Sequence, residues 1–377
     1  MLHPELPFLP RSAPRPMLPV ITFLVNGSRT SAMGIRARSF AEHLAPHFDV
    51  RLLFRTENKI RSTATFVRSL FDQSPAVVYV VDMAASGVLA ALTYKAITGT
   101  PVIVDTGDVI SALGRSIGRG RVGYGLTVAL EALSLRGADH LVVRGTNHKH
   151  LLGEQGYHNV TVVQDGVDST QFKPGNGAEI RAGLDLEDDL VLGTLGSSVW
   201  NEQLQTCYGW EMLEVVHRLR EHPIQALMIG GGSGIERMKE KAADWGIADR
   251  IHFLGYVPYN DLPKYLTAMD VCLSKQTNDL VGQVRTTGKL PLYMACGRYV
   301  LATKVGEAEY VLPDPMLIPF TGSHDPNYTD LLVDRVQGLL AQRSTLSLGQ
   351  RNRDWAIQQF DYTVLSDRLT ALLNRFT

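Results

Sequence analysis

Three cysteines are all that 377 residues contain, Cys207, Cys272 and Cys296, and no C-x-x-C joins any two of them. Such an odd set encodes neither a disulfide framework nor a zinc site, and it fits a reducing cytosol. Long apolar runs are also missing. Val77 to Val81 and the small-residue run from Ala84 to Leu92 fall far short of the roughly 18 residues a membrane span needs. Charge of one sign is scarce, with 37 Lys and Arg against 38 Asp and Glu, which excludes a generally basic nucleic-acid binder. His140, His148, His150 and His158 come without H-E-x-x-H or paired carboxylates, so no metal is expected.

What is present is an ordinary globular composition, 45% apolar and 20% charged, over a length that one core rarely serves. Two domains are expected. The first twenty residues carry six prolines and lack the basic-then-apolar order of a signal peptide, so residues 1–19 read as a disordered leader and export is not expected. The near-zero net charge hides an asymmetry. Residues 1–165 hold 17 Lys and Arg against 12 Asp and Glu, whereas the remainder holds 20 against 26. A basic N-terminal face leaves room for an anionic acceptor or a membrane surface.

Val20 to Asn26 is an apolar run followed by a polar stretch to Gly34 and a periodic segment from Ile35 to Leu44: strand, loop, helix. The alternation continues through strands at Val50 to Phe54, Ala76 to Asp82, Pro101 to Asp105, His140 to Arg144 and Val160 to Val163. Asp165 to Pro174 breaks it with Gly, Asp and Pro, and a second series begins at Leu190. The pattern predicts two Rossmann-like α/β domains, 20–165 and 166–350, each with a parallel sheet covered by helices. From Asn327 the chain reads as helices only, and the segment 351–377 can pack back on the first domain. Ser111 to Gly125, with Arg115, Arg119 and Arg121 among five glycines, reads as a mobile basic flap.

Several local segments share a resemblance. Val162 to Pro174 (VVQDGVDSTQFKP), Ala226 to Gly232 (ALMIGGG), Gly246 to Pro258 (GIADRIHFLGYVP), Lys289 to Thr303 (KLPLYMACGRYVLAT) and Val305-Gly-Glu307 resemble, in order and spacing, the second domain of GT-B glycosyltransferases of retaining family 4. The first domain resembles them in outline, chiefly through Gly34. The resemblance implies two domains facing across a cleft, the first for the acceptor and the second for a nucleotide diphosphate sugar carrying UDP or GDP. It also implies sugar transfer to a hydroxyl acceptor with retention, needing neither cofactor nor metal.

Gly282 to Lys289 forms a Gly-rich cationic approach to a helix starting near Leu290, where Thr287 and Gly288 would meet the diphosphate. Arg285 can grip phosphate bidentately, and Lys289 can stabilise the charge that develops on the leaving group. The spacing is not that of a Walker A loop, since five residues separate Gly282 from Gly288 and Leu290 follows Lys289. Gly230 and Gly231 sit where backbone can approach a ligand. By resemblance Gly196 and Ser197 face the phosphates and Tyr256 and Val257 the base. Asp105 and Asp108 end a strand at the cleft, where a carboxylate can orient or deprotonate an acceptor hydroxyl, Asp108 being the catalytic candidate. Gly34 is expected to serve backbone approach to the sugar phosphate, with Gly34→Val costing donor use and little stability.

The pattern also departs from the family. Val284 and Leu292 stand at the positions of the family's E-x(7)-E pair, no Arg or Lys follows Gly196 through Gln203, and Gly107 replaces a His. A non-catalytic relative that binds nucleotide or a partner subunit is the alternative these losses support. The expected partners are a nucleotide sugar and a hydroxyl acceptor, anionic or lipid-linked, with no nucleic acid. The expected location is cytoplasmic, with room for peripheral contact at the membrane's inner face through the first domain.

Overall fold

The computed structural model describes residues 17–186 and 188–377, so the first sixteen residues of the expected leader lie outside the described residues. Six strands form the first sheet: β1 Val20–Val25, β2 Asp49–Phe54, β3 Val77–Val81, β4 Val102–Thr106, β5 His140–Val143 and β6 Val160–Val162. Their order is β2-β1-β3-β4-β5-β6, all parallel. The runs are apolar on both faces because helices cover both, and all five residues of β3 are buried. The second sheet holds β7 Leu190–Leu195, β8 Ile224–Ile229, β9 Ile251–Gly255, β10 Val271–Ser274, β11 Tyr299–Thr303 and β12 Leu317–Ile318. Its order is β12-β11-β10-β7-β8-β9. Strand order reverses between β1 and β3 in one sheet and between β7 and β10 in the other, and ligands of such sheets bind outside the strands' carboxyl ends at those reversals.

Two local readings change. The stretch expected as a basic flap is largely helical: Ile110–Ser116 is a helix, and Arg121 opens another that runs to Gly137. Five glycines did not prevent this, because Gly114 packs near Thr127 and so joins the two helices. Between β5 and β6 lies the helix Thr146–Glu154, which the parallel pairing of those strands requires as a crossover.

The chain ends by returning to its first domain. Tyr362, Leu365, Leu369, Leu372 and Leu373, on the helix Tyr362–Leu373, join the cluster of Ile21, Phe23 and Phe40. That helix starts beside the linker. Val167 N–H donates to Phe360 O at 2.9 Å, and the Asp361 carboxylate accepts from Ser169 N–H at 3.1 Å and Thr363 N–H at 2.8 Å. Arg353 then ties Phe172 O, Ala295 O and Ser169 O together. The linker is therefore stitched at both ends.

Candidate donor and acceptor sites

The carboxyl ends of β7, β8 and β9 are laced by backbone hydrogen bonds: Gly196 N–H to Ile229 O, Gly230 N–H to Gly255 O, and Ser198 N–H to Gly231 O, each at 2.8–2.9 Å. Gly230, at φ 121°, lies so close to Gly196 that a Cβ would run into the Gly196 carbonyl. Its glycine serves this loop-to-loop approach. Gly231 faces open space, and Ser197 is exposed.

Lys289, the first residue of the helix Lys289–Ala295, reaches across to this corner. Its ammonium lies 3.6 Å from the centroid of the Tyr208 ring, and a Cβ added to Gly196 would sit 3.3 Å from Nζ. Tyr208 is itself fixed, donating from its hydroxyl to Leu273 O at 2.9 Å. The missing cation of the loop after β7 is thus supplied from another element. Burial pushes the Lys289 ammonium down to about 7, Glu211 pulling the other way and Arg285 adding to the fall. Thr287 and Gly288 form the turn before it, with Leu290 N–H donating to Thr287 O.

Arg285 follows the short helix Leu280–Val284 and meets the first domain, its Nε 2.8 Å from Asp108 Oδ1. The two residues singled out on separate domains are brought together, so Asp108 is a carboxylate already engaged by a guanidinium. Other contacts flank this pair. The Glu307 carboxylate accepts from Thr146 N–H at 2.8 Å and Gln164 Nε2 at 3.1 Å, while Asn147 donates to Gln283 Oε1 at 2.6 Å. Glu307 had been visible only as the end of Val305-Gly-Glu307, and nothing in the sequence announced its role as an interdomain clamp.

Asp105 is no acceptor base. It is fully buried, and against the desolvation that burial imposes, Arg36 and Arg144 hold its carboxyl below the ordinary value. Arg36 Nε approaches at 2.9 Å, Arg144 Nε at 3.2 Å and the Tyr79 hydroxyl at 3.1 Å. Arg144 also explains Gly107: a Cβ there would meet the Arg144 side chain at 2.9 Å, so the guanidinium fills the volume where the family carries a His.

Two residues differ from expectation. Val257 packs in the second domain's core, so its side chain is closed to a base, whereas Tyr256 beside it is 79% exposed. Gly34 is buried inside the helix Ala32–Leu44, where Ser31 Oγ accepts its N–H, and a Cβ would collide with the carbonyls of Ser28 and Arg29. That glycine is demanded by its own loop. Gly34→Val is therefore expected to cost about 1–3 kcal/mol of stability, seen as a melting temperature several degrees lower; an unchanged melting curve would show that the loop yields.

The family described as glycosyl transferases group 1 matches residues 192–342. A GDP-mannose-dependent alpha-(1-6)-phosphatidylinositol monomannoside mannosyltransferase of Mycolicibacterium smegmatis is 29% identical over 216 residues, 55% of this chain and 54% of that protein. A D-inositol 3-phosphate glycosyltransferase of Frankia alni is 29% identical over 52% of this chain and 48% of its own length. The chain thus spans about half the length of the curated relatives it matches. Among solved structures, Anabaena HepE in complex with UDP and glucose superposes with a TM-score of 0.72 at 16% identity, covering 95% of this chain and all of the other. The fold is GT-B.

Proposed function

We propose that this chain, which carries a glycosyl transferases group 1 domain on a GT-B fold, transfers a sugar from a nucleoside diphosphate sugar to a hydroxyl acceptor with retention at the anomeric carbon. The observation that carries the reading is the Lys289 ammonium set between Tyr208 and Gly196 at the carboxyl end of β7, beside the reversal of strand order where a diphosphate would be received. UDP or GDP carries the sugar, in keeping with the UDP in the HepE complex and the GDP-mannose dependence of the mycobacterial relative. In the step proposed, the bond from the anomeric carbon to the phosphate oxygen breaks with its electron pair remaining on phosphate. The acceptor oxygen bonds to the same face, its proton passes to the departing phosphate oxygen, and nucleoside diphosphate leaves.

Lys289 and Arg285 stabilise the charge that grows on the leaving phosphate. Because Asp108 is paired with Arg285, its work is to orient that guanidinium and the acceptor hydroxyl, and the phosphate serves as base. Tyr256 offers a ring for the nucleotide base. Incubation of the purified chain with UDP- and GDP-sugars, following nucleoside diphosphate release and the anomer first set free by slow hydrolysis, tests this. An α-donor should release α-sugar. Release of the β-anomer would reject retention, and failure of every donor to bind or react would leave the non-catalytic relative as the better reading.

A further inference from the structure

The first domain contains a cavity of about 750 Å³ whose lining is part polar and part apolar. Asn26 donates to Asp82 and accepts from Arg55, both at 2.8 Å, and Asp108 and Lys59 also line the cavity. Leu113, Leu130, Leu133, Leu126 and Leu89 make an apolar wall. The wall is not sealed. Leu126 is 67% exposed, and the stripe continues outward along one side of the helix Arg121–Gly137 to Val122, 79% exposed, with Ile117, 60% exposed, on the preceding turn. Residues 122, 126, 130 and 133 recur at helical spacing, so a single apolar stripe runs from the cavity to open solvent.

Cations lie in the cavity lining and on the two helices that carry the stripe. Arg55, Lys59, Arg115, Arg119 and Arg121 pair with no carboxylate among the described residues. Arg115 is held by the Tyr124 hydroxyl at 2.8 Å and Arg119 by Thr127 Oγ1 at 2.7 Å. An exposed apolar stripe bordered by unpaired arginines suits the boundary between anionic headgroups and acyl chains, where each cation gains from the surface potential and each apolar side chain leaves water. A soluble glycan would find the five leucines a poor host, since their side chains offer it no hydrogen bonds.

We infer that the helical pair Ile110–Ser116 and Arg121–Gly137 docks on an anionic lipid surface, and that the cavity behind it takes an anionic amphiphile from that surface as the acceptor. The tail lies along Leu126, Leu130 and Leu133, the negative head meets Arg55, Lys59 and Arg119, and the hydroxyl points to Asp108. This rests on the transferase reading for the word acceptor, but the docking surface is measured without it.

The test is co-sedimentation of the full chain with vesicles of phosphatidylcholine alone and with about 30 mol% phosphatidylglycerol. Wild-type protein should bind the anionic vesicles at least about tenfold more tightly than the neutral ones, and Val122→Asp/Leu126→Asp should lose about tenfold or more of that binding. Both side chains are largely exposed, so the variant keeps its fold, which circular dichroism verifies. Equal binding to the two vesicles, no binding to either, or an unaffected double variant would overturn the inference. Nucleotide affinity measured on the same wild-type protein keeps the two readings apart: vesicle binding without nucleotide binding sinks the transferase reading and spares the docking surface.

Discussion

Lys289→Ala is expected to lower the efficiency of sugar transfer by about 30-fold to 1000-fold while leaving the fold intact, because a charge-assisted contact to a departing phosphate is worth about 2–4 kcal/mol in the transition state. The loss should be large here since the loop after β7 brings no cation of its own and Lys289 occupies the corner beside Gly196. The same geometry gives a pH signature. With its ammonium pushed down to about 7 by burial, the free lysine is mostly neutral at about pH 8.5, and an incoming diphosphate restores its charge. Donor binding should then take up close to one proton at about pH 8.5 and almost none at about pH 6. Calorimetry in two buffers of different ionisation heat counts that proton. Lys289→Arg, charged throughout, should abolish the uptake. In the unliganded protein the sign is opposite to a salt-bridge lysine's. The unfolded chain holds this proton up to its ordinary value of 10.5, so the group's contribution to stability rises with pH from about 7 to 10.5.

Asp105→Ala is expected to be the most destabilising single change, at about 3–5 kcal/mol, because it strands two buried guanidiniums that the carboxylate now neutralises. Arg36 is 2% exposed and Arg144 6%, so neither guanidinium reaches solvent where it stands. Arg36 would keep its bonds to Val163 O and Gln164 O, at 2.8 and 2.6 Å, but not its counter-charge. Asp105→Asn preserves shape and should fall between. Equilibrium urea unfolding measures both, and a loss below about 1 kcal/mol for Asp105→Ala would show that Asp82 and Asp165 suffice. Since the Asp105 carboxyl is held below its ordinary 3.8, its contribution is complete above that pH and is lost as pH falls through the lower folded value.

The strands are legible because a parallel sheet buried on both faces writes itself as short continuous apolar runs, and eleven of these stand where their composition places them, from Val20–Val25 to Tyr299–Thr303. The shortest elements escaped: Leu317–Ile318 is two residues, and the helix Thr146–Glu154 is mostly polar, its buried side chains being His148 and Leu152. A glycine after the first strand carries the same letter whether it faces a ligand or its own loop, so the contact of Gly34 with the Ser28 and Arg29 carbonyls leaves no mark in the sequence. Lys289 and Arg285 stood out by charge in a sparse segment, but their partners did not. Tyr208 lies 81 residues before Lys289 and Asp108 lies 177 before Arg285, and separations of that kind leave no local trace. Arg144 filling the space above Gly107 brings together positions 37 residues apart in sequence, which leaves no local trace.

Lys289 is proposed to mark the seat of a nucleoside diphosphate. Calorimetric titration of wild type and Lys289→Ala with UDP and with GDP tests it most directly. One of the two nucleotides should bind the wild type and bind the variant at least about 30-fold more weakly, with the melting curve preserved. Binding of neither nucleotide to the wild type, or wild-type affinity in the variant, would contradict it.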